Sequence, residues 1–339
     1  MADSSSTSSS KRLKPFFLRL LLLAALAVAL DQGIGLLLER TYFRLREGSF
    51  GPKINAVLDA KADLLIFGSS RAENHYIPEL IEQGTGYKSF NAGFGGQTIL
   101  FHSGLLNLVT KAYTPKVILF DLNVGDMTDA LKRNSWDKLS TLLPYHRDPD
   151  VKSLLLQRGK WEWLKLWSRG YPFNSMLMSI LKYAFDPSGE EARWKGYMPL
   201  YGSRMPDLIA LAEKRDEPPP PSTPVKAPEL DMTYIQKFIA DARNAGVKVI
   251  AVDSPRWRRH GYGYTPEEQL LLRMYRAWLA QRDVPIVSVT AEQHPEFDNA
   301  ALFRETIHLN YQGAEVFSRL LAEKLAEMGV RAAARPKTL

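Results

Sequence analysis

The sequence predicts an α/β protein built on a five-stranded parallel sheet sandwiched by helices. Short apolar runs recur at 64–67, 87–91, 116–120, 247–252 and 284–289, and each ends in small or polar residues, as buried parallel strands do. Segments with helical spacing lie between most of them, which is the rhythm of right-handed βαβ crossovers. A hydrophobic content of 45% over 339 residues is enough for one large domain carrying an insertion.

In chain order, residues 1–15 are rich in Ser and carry Lys11, Arg12 and Lys14, so a disordered basic tail is expected. The apolar stretch that follows, 16–38, is just long enough for a membrane span of about 20 residues. The basic cluster before it, continued by Arg19, places that side in the cytoplasm and exports the rest of the chain. A cleaved signal peptide is the alternative, with 20–26 as its apolar region and Ala27-Val28-Ala29 as the small-residue site. Asp31 favours it, because a lone carboxylate in a bilayer is costly. A third reading is a buried helix of a soluble domain. Residues 39–60 read as a stalk.

The net charge of +7 suits an anionic membrane surface. Nucleic acid is not an expected partner, since the cations are interspersed with 37 acids and no basic helix or stacking motif accompanies them. The absence of cysteine excludes disulfides, zinc thiolate sites and a cysteine nucleophile.

The first strand, 64–67, runs into Gly68-Ser69-Ser70-Arg71 and a loop with Glu73, Asn74 and His75. A short helix from Pro78 follows, and the second strand delivers Asn91-Ala92-Gly93-Phe94-Gly95-Gly96. Three glycines in four positions suit a loop that offers N–H groups to an anion. A helix over 99–110 leads to the third strand, which ends at Asp121, Asn123 and Asp126. The rhythm then lapses over 129–230, which predicts a largely helical insertion with a small core of its own. It holds five of the seven tryptophans: Trp136, Trp161, Trp163, Trp167 and Trp194. These suit a lid or a stacking surface for sugar rings, an ordinary helix face through Leu154, Leu155, Trp161, Leu164 and Trp167, or a membrane interface. A proline-rich linker, 217–228, returns the chain to the main domain, 61–128 with 231–330.

There Asp231 caps a helix that ends at Gly246, the fourth strand ends at Asp253-Ser254-Pro255, and a helix over 266–282 leads to the fifth. The chain closes with Glu305-Thr306-Ile307-His308-Leu309-Asn310 and a last helix. Arg71 and Arg256, both at strand ends, are candidate contacts for an anionic substrate, with surface ion pairs as the plainer alternative. His75, His102, His146, His260 and His294 show no metal-ligand spacing, so neither metal nor other cofactor is expected. A dinucleotide fold is disfavoured because no Gly-x-Gly-x-x-Gly follows the first strand.

Taken singly, Gly-Ser-Ser is a polar turn and a histidine before a helix is a loop residue. Together, a strand then Gly-Ser-Ser, a strand then Asn-x-Gly-x-x-Gly, a strand then Asp-x-Asn, and Glu-x-x-His-Leu-Asn before the last helix resemble the SGNH/GDSL hydrolase superfamily, in the family's order. The resemblance implies a flavodoxin-like fold and is closest to membrane-anchored envelope members. It makes Ser70 the nucleophile, His308 the general base and Glu305 the group that orients it, in place of the family's Asp; Asp298 is the other carboxylate considered. Ser70, Gly96 and Asn123 would form the oxyanion hole, although the family's Gly-x-Asn-Asp is absent and Asn123 is only the best match. The implied function is that of an extracytoplasmic esterase or O-acyltransferase acting on acyl, notably acetyl, esters of an envelope polysaccharide or glycoconjugate. The alternative is a catalytically degraded domain that serves an integral-membrane acyltransferase as binding or scaffold partner.

Overall fold

A computed structural model describes residues 7–46, 51–128, 131–185, 194–213, 229–259 and 262–332. Its centre is a five-stranded sheet of order β2-β1-β3-β4-β5, formed by Leu64–Phe67 (β1), Ser89–Asn91 (β2), Val117–Asp121 (β3), Lys248–Asp253 (β4) and Ile286–Ser288 (β5). Every pairing is parallel. Alternate residues of each strand enter opposite faces, as the two-residue period requires.

Leu65, Phe67, Ile118 and Phe120 face one way and pack with α5 (Ile99–Ala112) and the helices Thr233–Asn244 and Pro266–Ala280. Leu64, Ile66, Val117 and Leu119 face the other way. They meet Ile81 of α4 (Pro78–Thr85) and Phe317, Leu321 and Leu325 of the last helix, Tyr311–Glu327. Both faces are covered, which is why β1, residues 117–120 of β3 and 249–252 of β4 are continuously apolar and do not alternate with polar residues.

The fold class agrees with the sequence, but several local expectations need correction. Residues 73–75 are not loop; they complete a short helix, α3 (Ser70–His75), that starts at Ser70 itself. Asp231 lies two residues before the helix Thr233–Asn244 and accepts from the Thr233 N–H. The first helix, α1 (Thr7–Tyr42), begins inside the segment expected to be disordered and runs through Pro15, which withholds one backbone N–H from the helical ladder. No free stalk follows it. Tyr42 is fully buried against Phe173 and Tyr145, and α2 (Pro52–Ala60) places Ile54 and Val57 in the main core. These apolar groups supply the burial that a stalk would lack.

Among its described residues the insertion has no separate core either. After a turn of Arg133–Asp137 (α6), Leu142 and Leu154 pack on Gly104 of α5, and Leu139, Leu155 and Phe173 join the same cluster as Phe120. The cause is α5, which is apolar on nearly all sides and needs a second cover outside the sheet. The single helix face expected from Leu154 to Trp167 is two helices. In α7 (Pro149–Leu156) Leu154 and Leu155 are buried, whereas Trp161, Leu164 and Trp167, in and beside α8 (Glu162–Lys165), are exposed. The linker 217–228 lies outside the described residues.

One helix among the described residues is long and apolar enough to cross a membrane; its most apolar 18-residue window averages a hydropathy of 2.1 and is 6% buried. From Phe16 to Leu30 it stands free of the domain, and from Asp31 onward one side docks on the insertion. The Asp31 carboxylate accepts from Ser168 Oγ at 2.6 Å and from the backbone N–H groups of Arg169 at 2.9 Å and Gly170 at 3.2 Å. The residue that speaks against a bilayer span thus has its partners supplied by the insertion.

Candidate active site

The carboxyl ends of β1, β2 and β3 carry the loops that the sequence singles out. Gly68 makes the turn out of β1 at φ +143°, where a Cβ would lie 2.9 Å from Ala72 Cβ and 3.0 Å from Asp121 Cβ, so no larger residue fits. The chain then enters α3 directly, and Ser70 becomes its first residue, half-buried at the sheet edge.

His308 arrives from the opposite end of the chain on a loop pinned at both sides. Phe303 and Leu309 form an antiparallel bridge, the Leu309 N–H donates to His75 Nε2 at 3.0 Å, and Asn310 caps the last helix by accepting from the Gly313 N–H at 3.0 Å. Held this way, His308 Nε2 lies 2.6 Å from Ser70 Oγ. Its Nδ1 is hydrogen-bonded to Glu305 Oε1. The longer glutamate reaches the ring because it folds back over its own turn, accepting from the backbone N–H groups of Ile307 at 3.0 Å and His308 at 2.9 Å. Burial pushes this carboxyl group up, but the bonds from the His308 ring and the two N–H groups outweigh it and hold it below the ordinary glutamate range. Asp298 is engaged elsewhere, by Arg258 and Arg259.

Serine, imidazole and carboxylate therefore form one hydrogen-bonded series. No protein-family model and no curated protein matches the chain. What the site can do rests on its geometry: an imidazole bonded to a serine hydroxyl on one nitrogen and to a carboxylate on the other can take the hydroxyl proton and stabilise the resulting positive charge.

The glycine loop is built around Asn91, which is fully buried. Its Nδ2 donates to the carbonyls of Ala72 and Tyr76 at 2.7 and 2.9 Å, and its Oδ1 accepts from the Gly93 N–H at 2.9 Å. A Cβ on Gly95 would stand 3.9 Å from Ser70 Cβ, which places the turn beside the serine. The Gly95 N–H is spent on Glu73 Oε2, at 2.9 Å. Gly96, at φ +72° with open space where a Cβ would be, is thereby the better candidate donor of the pair. Asn123 follows β3, the strand in register with β1. Its Oδ1 accepts from the Gly125 N–H at 3.0 Å, which fixes the side chain and leaves the NH2 as its donor.

The two arginines part company. Arg71 is in a buried ion pair and not a surface one. Its guanidinium is buried, 3.1 Å from the Asp121 carboxylate, and donates to the Leu122 carbonyl and to Tyr264 Oη. It tethers α3 to β3, since the helix starts so close to the strand end that the side chain has only the sheet edge to reach. Arg256 stacks on Tyr264, 4.7 Å from the ring centre, and pairs with Glu268 at 3.3 Å. It lines a cavity of about 590 Å³ at the ends of β4 and β5, together with Asp253, Ser254, Tyr264 and Arg276; neither Ser70 nor His308 lines it. Among the described residues, no group of three or more His, Asp and Glu is placed to hold a metal ion.

Sequence reasoning missed the groups beneath the site. Glu73 and Lys53 form a buried ion pair under the glycine turn, and Lys53 also donates to the Gly93 carbonyl. His75 is buried as an acceptor, and burial, followed by the nearby His308 and Arg71 charges, keeps it well below the ordinary histidine value. Residues 195–204 of the insertion edge the site, with Lys195 and Met198 joined by backbone bonds to Asn91 and Glu73 and with Leu200 accepting from Tyr311. The signals were faint: Asn91-x-Gly93 has the spacing of a side-chain-supported turn, and Ser70-x-x-Glu73 that of a helix start.

Proposed function

We propose that the chain is an SGNH-type serine esterase or O-acyltransferase. The observation that carries this reading is the hydrogen-bonded series Ser70–His308–Glu305, assembled at the carboxyl edge of a parallel sheet where such folds place their chemistry. Ser70 Oγ attacks the acyl carbonyl carbon and passes its proton to His308 Nε2, while Glu305 stabilises the imidazolium. The negative oxygen is held by the N–H groups of Ser70 and Gly96 and by the Asn123 amide. Collapse expels the alcohol, which takes the proton from His308 and leaves an acyl-enzyme. Water or a sugar hydroxyl then gives its proton to His308 and attacks the acyl carbon, restoring Ser70.

The substrate class proposed is an acylated envelope polysaccharide or glycoconjugate, met outside the cytoplasm by a domain held on its single N-terminal helix. The basic residues ahead of the apolar stretch support that orientation. The test is labelling of the full chain by a fluorophosphonate probe, with turnover of p-nitrophenyl acetate. Wild type reacts, and Ser70→Ala and His308→Gln do not. If Ser70→Ala hydrolyses the ester at the wild-type rate and wild type takes no label, the enzyme reading fails and the scaffold alternative replaces it. A reporter fused after Met328 and active only outside the cytoplasm tests the orientation.

A further inference from the structure

Among the described residues, eight of the fifteen large apolar side chains exposed beyond α1 come from one segment, 161–185, which ends in α9 (Leu177–Phe185). Trp161 is 56% exposed, Trp163 61%, Trp167 77%, Met178 78% and Phe185 85%. A soluble surface rarely gathers such groups without a partner. Lysines stand among them, with Lys160 over the Trp161 ring and Lys182 over the Tyr183 ring.

The same segment clasps α1. Besides the bonds of 168–170 to Asp31, Arg169 pairs with Glu39 at 2.8 Å, Gly35 sits so close that a Cβ would be 2.5 Å from the Arg169 backbone, and α9 packs along the helix. The docked stretch of α1 therefore runs from Asp31 to Tyr42. Its open side still exposes Ile34 and Leu37, so the apolar exposure of α1 runs from Phe16 to Leu37. At 1.5 Å per residue that is about 33 Å, close to the ~30 Å of a hydrocarbon core. If α1 spans a bilayer, its last turns there are the ones the insertion grips, and 161–185 lies at the membrane surface.

We infer that residues 161–185 form a collar seated in the lipid interface around the exit of α1, with Trp161, Trp163 and Trp167 at the headgroup level. Tryptophan with flanking lysine is the composition that favours this zone, where the indole is half-solvated and the ammonium reaches phosphate. The parts of the insertion bonded around the serine site are Thr141 and 195–204, so the tryptophans are not required as its lid. The collar fixes the height and tilt of the domain on the bilayer.

This inference rests on the membrane-anchor part of the proposed function and not on its chemistry. Its test uses the full chain in phosphatidylcholine/phosphatidylglycerol vesicles whose lipids are brominated high on the acyl chain, against the same vesicles without bromine. All seven tryptophans lie beyond residue 135, so α1 contributes no signal. The expected result is emission quenched in the brominated vesicles, with the quenched part lost in Trp161→Ser/Trp163→Ser/Trp167→Ser while the variant still floats with the lipid. Equal emission from both vesicle types, in a chain that floats, overturns the collar. So does equal emission joined to shielding of these tryptophans from an aqueous oxidant in native membranes alone, which would assign the surface to a protein partner. A chain that does not float overturns the anchor and the collar together, and leaves fluorophosphonate labelling of Ser70 as an independent result.

Discussion

Lys53 Nζ lies 3.2 Å from Glu73 Oε1, a buried ion pair joining α2 to α3, the helix that begins with Ser70. The other Glu73 oxygen holds the Gly95 N–H, so one carboxylate ties three chain segments under the candidate oxyanion loop. Removing one partner strands a buried charge, a loss of about 3–5 kcal/mol. Lys53→Met should lower the denaturation midpoint accordingly and slow labelling of Ser70. Adding Glu73→Gln, which removes the stranded charge and keeps an acceptor for Gly95, should recover much of the stability.

Asn123→Asp separates a structural from a chemical role. Aspartate keeps the oxygen that accepts from Gly125 but has no N–H to offer. Loss of one oxyanion donor costs roughly 10²- to 10³-fold in turnover. The expected outcome is that drop in p-nitrophenyl acetate hydrolysis with Tm unchanged, and undiminished hydrolysis would remove Asn123 from the oxyanion hole.

Glu305→Gln retains the reach of the side chain but not its charge, and its effect on turnover should approach the roughly 10⁴-fold seen when a triad carboxylate becomes an amide. Stability carries a second signature. A carboxyl group held below its ordinary value stabilises the fold above that value and loses the contribution as pH falls through the folded one. The Tm difference between wild type and Glu305→Gln should be present at neutral pH and shrink below about pH 4.

His102 gives the fold a different acid sensitivity. It is buried among Phe67, Phe101 and Phe120, and burial pulls it down to about 3. The unfolded chain protonates this ring near pH 6.5 while the folded chain does not, so stability present above that value falls as pH drops, by up to about 1.4 kcal/mol per pH unit. His75, also held neutral by burial, acts in the same sense. Chemical denaturation from pH 7 to 5 should show a slope that His102→Leu reduces by about one proton's worth.

Much of this site was legible because its chemistry sits at strand ends, and strand ends can be read from apolar runs. Leu64 to Phe67 running into Gly68-Ser69-Ser70 marks a strand end with hydroxyls, and the family resemblance selects Ser70 there; that only glycine fits the turn is a tertiary fact. Glu305 and His308 are three residues apart, so their contact is local. The stalk and the insertion were misread for one reason. Tyr42, Ile54, Leu142 and Leu154 carry apolar surface whose destination is a distant helix, and a one-dimensional pattern records that a residue wants burial but not against what. Arg71 shows the same limit, since an arginine after a strand end looks exposed until Asp121 and Leu122 are seen to meet it.

By itself the sequence determined the strands, their turns, the four short motifs and an apolar helix with cations before it, all set by local sterics and the period of apolar residues. Only the tertiary structure decided that Ser70 and His308 lie 2.6 Å apart across 238 positions, that Glu73 serves the glycine turn and that Asp31 is satisfied by residues 168–170. Those contacts depend on how the sheet's crossovers and the packing of α5 bring remote segments together. Their cost in chain entropy is offset by burial spread over the whole core, which no local pattern encodes.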